Sequence, residues 1–324
     1  MRNVLKILSI TLVLIVTICG ISCTKKTITT DNFEGTITIS GAWALYPMVV
    51  KWSEEFQKIH PQIKIDIAAG GAGKGMADAL AQIVDIGMVS RDIYPAEIEK
   101  GAWWISVTKD AVVPTVNENN PLLTELLSKG LKKETFIDIW ITGKITDWGQ
   151  VFGEKTGHDI HVFTRSDACG AAQTWAKFLE KNQEDLQGIG VYGDPGLAEA
   201  VAKDTMGIGY NNINYAYDSQ TKMPVRGIKV LPIDVDGNGK IDESENFYDS
   251  SDKIVQAIGD GKYPSPPARD LHLVCQGKPD RKVVIEFLKW ILTDGQKYVQ
   301  EAGYINLSKQ KLHSELARLE TKNQ

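Results

Sequence analysis

By residue 92, three apolar runs that read as strands have each ended in a junction of polar or glycine character. Thr36-Ile37-Thr38-Ile39-Ser40 runs into Gly41-Ala42-Trp43-Ala44-Leu45-Tyr46-Pro47. Ile63 to Ala68 runs into Gly70-Gly71-Ala72-Gly73-Lys74-Gly75, and Asp85 to Val89 into Ser90-Arg91-Asp92. Strands alternating with helices make an open α/β sheet, and such sheets place ligands beyond the carboxyl ends of their strands. The first helix is expected from Pro47, with Met48, Trp52, Phe56 and Ile59 as its buried stripe and His60-Pro61 as its end. Trp103 to Thr108 and Ala111 to Val116 read as two further strands.

The fullest of these junctions lies later, in His161 to Leu179. A short strand leads through Arg165-Ser166-Asp167-Ala168-Cys169-Gly170-Ala171 into a helix carrying Trp175, Phe178 and Leu179. A helix amino terminus offers unpaired N–H groups and a positive dipole end, and an arginine stands beside them, so the junction suits an anion. Asp167 is expected to pair with Arg165 and fix its fork, because a carboxylate facing an anion repels it. The glycine loop at 70–75 does not suit a nucleotide: Gly75 stands where an NTPase loop needs Ser or Thr, and Met76 where a dinucleotide loop needs its third Gly. It retains a looser role, close approach of backbone N–H groups to a ligand, with a plain tight turn as the alternative.

Cys169 raises an enzymatic alternative, since a helix amino terminus and an arginine lower a thiol pKa. No histidine is placed by local sequence as its base, so the expectation is no enzyme and no catalytic residue. His158 and His161 lack the further ligands of a metal site.

The first 22 residues carry Arg2 and Lys6 followed by an apolar core from Ile7 to Ile21, the layout of a secretory signal. Ser22 precedes Cys23, which makes Cys23 the lipidation candidate; an ordinary secretory signal is the alternative. Cleavage there removes 22 of 324 residues and two positive charges, leaving 302 residues and changing the net charge from -5 to -7. Such acidity argues against nucleic acid as a partner. Residues 23–34 read as a tether holding about two domains off a membrane surface. Beyond it only Cys169 and Cys275 remain, and both are expected as free thiols, with a single bridge between them as the alternative.

Asp234-Val235-Asp236-Gly237-Asn238-Gly239-Lys240-Ile241-Asp242-Glu243-Ser244-Glu245 meets every defining position of the twelve-residue calcium loop. The side chains of Asp234, Asp236 and Asn238, the Lys240 carbonyl and both oxygens of Glu245 are the expected ligands, with Asp242 acting through water. The flank upstream is strand-like and no second loop exists to couple with, so the expected cofactor is a structural Ca²⁺ that orders the loop.

The series Ser40 to Pro47, the glycine loop, Val84 to Arg91, Phe136-Ile137-Asp138-Ile139-Trp140-Ile141-Thr142-Gly143-Lys144-Ile145-Thr146-Asp147-Trp148 and Gly207-Ile208-Gly209-Tyr210 resembles the successive landmarks of the phosphate-binding, substrate-capturing proteins of ABC transporters. Phe287 to Leu292, Gly295 to Val299 and Gly303-Tyr304 are similar to the closing helices of that family. The resemblance covers nearly all of the chain beyond the signal. It implies an α/β fold, a two-lobed periplasmic binding protein of type II with a hinge and an interlobe ligand cleft. Lobe I would comprise 35–116 and 225–324, including the calcium loop 234–245, and lobe II 117–224.

The family further implies phosphate capture, delivery to an ABC permease, a monomer, and an extracytoplasmic, membrane-anchored lipoprotein. The cleft would be lined by Ala44, Leu45 and Tyr46 (the last two through their backbone N–H groups), Gly71, Ala72, Gly73, Ser90, Arg91, Arg165, Asp167, Cys169, Gly170 and Ala171. Asp92 is the nearest candidate for a protonation-sensitive acceptor, and Asn211 and Asn212 for replacement donors or a turn. Where the family carries Asp-Gly-Ser-Gly-Thr, this chain has Asp167-Ala168-Cys169-Gly170-Ala171, so a thiol and a methyl replace two hydroxyls. Another tetrahedral oxyanion, a phosphonate, or sensing without delivery stay open as alternatives.

Overall fold

The computed structural model describes residues 33–321, so the signal segment, Cys23 and nearly all of the tether lie outside the described residues. β1 (Gly35–Gly41) pairs in parallel with both β2 (Ile63–Ala69) and β3 (Ile86–Val89). α1 (Tyr46–Ile59) and α2 (Ala72–Leu80) connect them. Met48, Trp52 and Phe56 of α1 are buried as expected. Ile59 is not: it is the last residue of the helix and 59% exposed, while Phe56 meets the rings of Phe287 and Trp290.

α2 lies almost backbone to backbone on the strands. A Cβ on Gly75 would stand 2.4 Å from the Met88 carbonyl oxygen, and one on Gly87 would stand 2.2 Å from that of Gly75. Gly75 is thus explained by packing between helix and sheet.

After α3 (Pro95–Glu99), the two strands expected over 103–116 form one, β4 (Ala102–Asn117), with a register shift between Ser106 and Thr108. The bulge absorbs the irregularity that breaks the apolar alternation, so pairing continues through it. Beyond β4 come α4 (Leu123–Lys129), α5 (Lys133–Trp140), β5 (His161–Arg165), α6 (Gly170–Phe178), β6 (Ile189–Val191), α7 (Gly193–Lys203), β7 (Gly207–Asn212), α8 (Ile213–Ala216), β8 (Ile228–Val230) and α9 (Ser251–Gly259). β9 (Ala268–Gln276), α10 (Lys282–Leu292) and α11 (Lys309–Glu320) complete the described chain. The strand order is β2-β1-β3-β9-β4-β7-β5-β6, with β8 also against β4.

β4 carries two cores. Its first part pairs with β9, beside a core that includes Ile39, Trp52, Phe56, Leu273 and Phe287. Its last part pairs with β7 and β8, beside a second cluster that includes Phe136, Trp140, Trp175 and Tyr210. Trp175 stacks on Tyr210 at 5.8 Å and meets Trp140 edge-on at 5.4 Å. Such aromatic pairs add about 0.5–1.5 kcal/mol each beyond the area they bury.

The expected return to the first lobe at residue 225 needs correction. Ile228, Val230, Ile233, Phe247, Tyr248, Ile254 and Tyr263 all pack in the second cluster, and the chain rejoins the β1–β3 side at β9. The calcium-type loop therefore sits on the second lobe. Alternating and aromatic runs announce that a segment is buried, without saying against which core.

Candidate functional site

β5 ends at Arg165 because Tyr210 pins it: the Tyr210 hydroxyl accepts from Arg165 N at 3.1 Å and bonds Thr164 Oγ1 at 2.7 Å. The chain then turns through Asp167 to Cys169, the amino-terminal cap of α6. Cys169 Sγ accepts from Ala172 N at 3.4 Å, the task a Ser or Thr performs in an ordinary cap. Gly170 and Ala171 open the helix, where geometry leaves their N–H groups without intrahelical partners.

This turn faces the first lobe at close range. Gly73 N, at the start of α2, donates to the Ala168 carbonyl at 3.2 Å. A Cβ on Gly71 would lie 3.0 Å from Ala168 O and from Asp167 Oδ2. Gly71 has φ 87 and caps α2, a conformation that favours glycine. A Cβ on Gly170 would lie 2.2 Å from Ser90 O and 2.3 Å from Ser90 Oγ. Gly71, Ala72, Gly73, Ser90, Arg165, Asp167, Cys169, Gly170 and Ala171 are thus brought together at one seam between the lobes, with the amino termini of α2 and α6 on its two sides.

Arg165 is the buried charge of that seam. Its Nε and Nη2 donate to Asp167 Oδ1 and Oδ2 at 2.8 and 2.7 Å, the pairing expected from sequence. Its Nη1 donates to Asp194 Oδ2 at 2.5 Å. Burial works against the guanidinium charge, but Asp194 and Asp167 outweigh it and raise the group above its usual range. Three of five N–H donors are used in these bonds, leaving one on each terminal nitrogen.

Asp194, at the start of α7, is the site residue that sequence reading missed. Gly193-Asp194-Pro195-Gly196 follows β6 as yet another strand-to-helix junction, and this was the signal available. Asn211 and Asn212 belong to β7 and form no turn: Asn211 Nδ2 donates to the Asp194 carbonyl and Asn212 Nδ2 to Asp194 Oδ1. Asn212 Oδ1 in turn accepts from Arg269, whose Nε also donates to Asp110 Oδ1 at 2.9 Å. Burial pushes the Asp110 carboxyl above its usual range despite Arg269.

Four expected features differ. Leu45 N and Tyr46 N are not open donors, since both donate to the Ala42 carbonyl in the turn before α1. Arg91 is held by Glu97 through Nη1 and Nη2 at 2.8 and 2.6 Å, so its charge is already compensated. Asp92 is exposed and pairs with Lys177 at 2.5 Å across the lobes, so it is not a buried acceptor. Ala44 contributes its carbonyl to the Tyr304 hydroxyl at 2.7 Å. Leu45, Tyr46 and Arg91 find partners within a few residues, whereas Asp92 and Ala44 find theirs in distant segments, which local sequence does not reveal.

The loop before α1 still reaches the second lobe. Tyr215 Oη donates to the Trp43 carbonyl at 3.1 Å, and a Cβ on Gly193 would lie 3.5 Å from Trp43 Nε1. That indole N–H is buried without a partner. Farther along the seam a cavity of about 760 Å³ opens between Arg91, Lys109, Gln173, Lys177, Arg269 and His272. Of the residues expected at the ligand, Arg91 and Asp92 line it.

Cys169 and Cys275 are both free and buried. Burial pushes the Cys169 thiol up to about 12 against the pull of Arg165. Asp234, Asp236 and Glu245 do converge, with carboxylate oxygens within 4.8 Å of one another. Among the described residues no helix is long and apolar enough to cross a membrane.

A strand shared by two α/β lobes, with helix amino termini and a buried arginine at the seam, defines a two-lobed binding-protein fold of the periplasmic type. Residues 27–295 match the model of the PBP superfamily domain, and the chain belongs to that family. It is 27% identical to the phosphate-binding protein PstS of Staphylococcus epidermidis, over 88% of this chain and 83% of that one. It is 25% identical to the phosphate-binding protein PstS of Methanocaldococcus jannaschii, over 84% and 83%. A putative phosphate ABC transporter substrate-binding protein from Clostridium perfringens, solved with bound phosphate, has the same fold. Its TM-score is 0.67 at 22% identity, covering 85% of this chain and all of that one.

Proposed function

We propose that this chain captures inorganic phosphate between its lobes and hands it to an ABC permease, acting as an extracytoplasmic monomer anchored through a lipid on Cys23. The observation that carries the reading is the seam at Arg165, where the free N–H groups of Gly170 and Ala171 face the start of α2 across a closed lobe junction. The names of the PstS relatives agree with it.

The charge balance favours a ligand that brings a proton. Arg165 is outnumbered by Asp167 and Asp194, so a fully deprotonated tetrahedral anion meets an uncompensated carboxylate. Hydrogen phosphate can donate to Asp167, whereas sulfate at neutral pH cannot. Asp167 replaces Asp92 as the acceptor in this reading. Phosphonates form the second reading, favoured by the loss of hydroxyl donors at Cys169 and Ala171. Catalysis through Cys169 is not part of the proposal, because a buried thiol at about 12 is a poor nucleophile.

Trp43 stands in the seam, so tryptophan fluorescence is a suitable readout. Titration with phosphate, arsenate, sulfate, tungstate and phosphonates should give saturable binding of phosphate, with sulfate roughly 10²-fold weaker or worse. Steady release of phosphate from esters, lost in Cys169→Ala, would overturn the binding-only reading, and binding of none of these anions would overturn the ligand class. Incorporation of a labelled fatty acid that disappears in Cys23→Ser tests the anchor.

A further inference from the structure

The loop after β8 belongs to none of this. Glu245 is 6% exposed, and its Oε1 accepts from Val235 N at 2.7 Å. Its Oε2 is buried and has no hydrogen-bond partner. The same carboxylate lies within 4.8 Å of oxygens of Asp234 and Asp236. A buried, unpartnered carboxylate oxygen beside two further carboxylates is an arrangement a chain retains when a cation completes it.

From this geometry and the spacing of the motif, we propose that residues 234–245 bind one calcium ion. Its ligands are side-chain oxygens of Asp234, Asp236 and Asn238, the Lys240 carbonyl and both oxygens of Glu245, with Asp242 acting through a water. All are oxygens, which selects a hard cation and disfavours zinc. A twelve-residue loop of many ligands accommodates calcium, whereas magnesium demands a small octahedron and keeps its waters. Gly237 and Gly239 adopt φ 72 and 81 with nothing near a would-be Cβ, so they are needed for the backbone path alone.

The loop is already stapled to the second lobe. Ile241 N donates to the Ser128 carbonyl at 2.8 Å, Leu131 N to that of Pro232 at 3.0 Å, and Asp234 N to that of Leu131 at 3.1 Å. The Ile241 side chain lies against Gly130, at the end of α4. The ion therefore fastens the β8–α9 connection to the junction of α4 and α5. It leaves the phosphate seam untouched, so the role is structural.

The full chain, stripped with chelator, is titrated with CaCl₂ by calorimetry and followed in thermal unfolding. One ion per chain, a melting temperature that rises with calcium, and magnesium at least about tenfold weaker are expected. Glu245→Gln should weaken calcium at least about tenfold. If that variant fails to fold, proteolysis of the natural chain within 235–244 decides, since calcium should slow cleavage there. No saturable heat, no change in melting temperature, or cleavage indifferent to calcium would each overturn the site. The phosphate titration runs alongside, and its failure leaves this outcome unaffected.

Discussion

At the residue scale the central fact is that Arg165 is held between two carboxylates and completely enclosed. Arg165→Met leaves Asp167 and Asp194 without a counter-charge in a buried place, and should destabilise the protein by about 3–5 kcal/mol and abolish phosphate binding. The shift of the urea midpoint measures the first effect, and fluorescence titration of whatever remains folded measures the second. Cys169→Ser is expected to act on binding alone. The Cys169 sulfur performs the cap that a hydroxyl would perform, so the substitution keeps the helix and adds a better donor. Phosphate affinity should rise about tenfold. In the natural chain the same thiol, pushed up to about 12, should resist aromatic disulfide reagents at pH 8 until the protein unfolds.

At the element scale two helices are placed by what their glycines lack. α2 approaches β1 and β3 through Gly75 and Gly87, and α6 approaches the end of β3 through Gly170. Gly170→Ala puts a methyl group 2.2 Å from the Ser90 carbonyl, which belongs to the other lobe. The seam must open to admit it. The expected cost is about 1–3 kcal/mol, with a larger radius of gyration by small-angle scattering that phosphate no longer reduces. Gly75→Ala meets the Met88 carbonyl within the first lobe, so it should lower the melting temperature while leaving lobe closure intact. The contrast between the two variants separates packing within a lobe from contact between lobes.

At the scale of the whole molecule, β4 joins the two cores, and its pairing with β9 also buries a histidine. His272 Nδ1 lies 3.1 Å from Ser106 Oγ. Burial pushes the imidazole down to about 4, with Asp270, Asp92 and Glu315 opposing the shift and Lys311 adding to it. The unfolded chain takes up this proton near pH 6.5 and the folded one only near 4. The contribution is therefore fully present above about pH 6.5 and is lost as the pH falls to about 4, amounting to about 3 kcal/mol. His272→Gln should flatten the fall in urea midpoint between about pH 7 and 4.5. An unchanged slope would assign the acid sensitivity to other groups.

Much of this was legible in the residues themselves. Apolar runs ending in Ser40, Gly70 and Ser90 announced an α/β sheet, and Arg165 to Ala171 announced a strand-to-helix junction with Asp167 on the arginine fork, because strand periodicity, glycine and helix termini act over a few residues. The spacing from Asp234 to Glu245 likewise brought three carboxylates together where it was expected to. Only the tertiary structure showed that β4 is continuous, that residues 228–263 pack in the second lobe, that Arg91 is occupied by Glu97, and that Asp194 is the second partner of Arg165. The Arg91–Glu97 pair spans only six residues, and the others depend on which distant groups the fold brings together. Buried charges and polar groups must find partners wherever the fold brings them, and sequence distance carries no record of that choice.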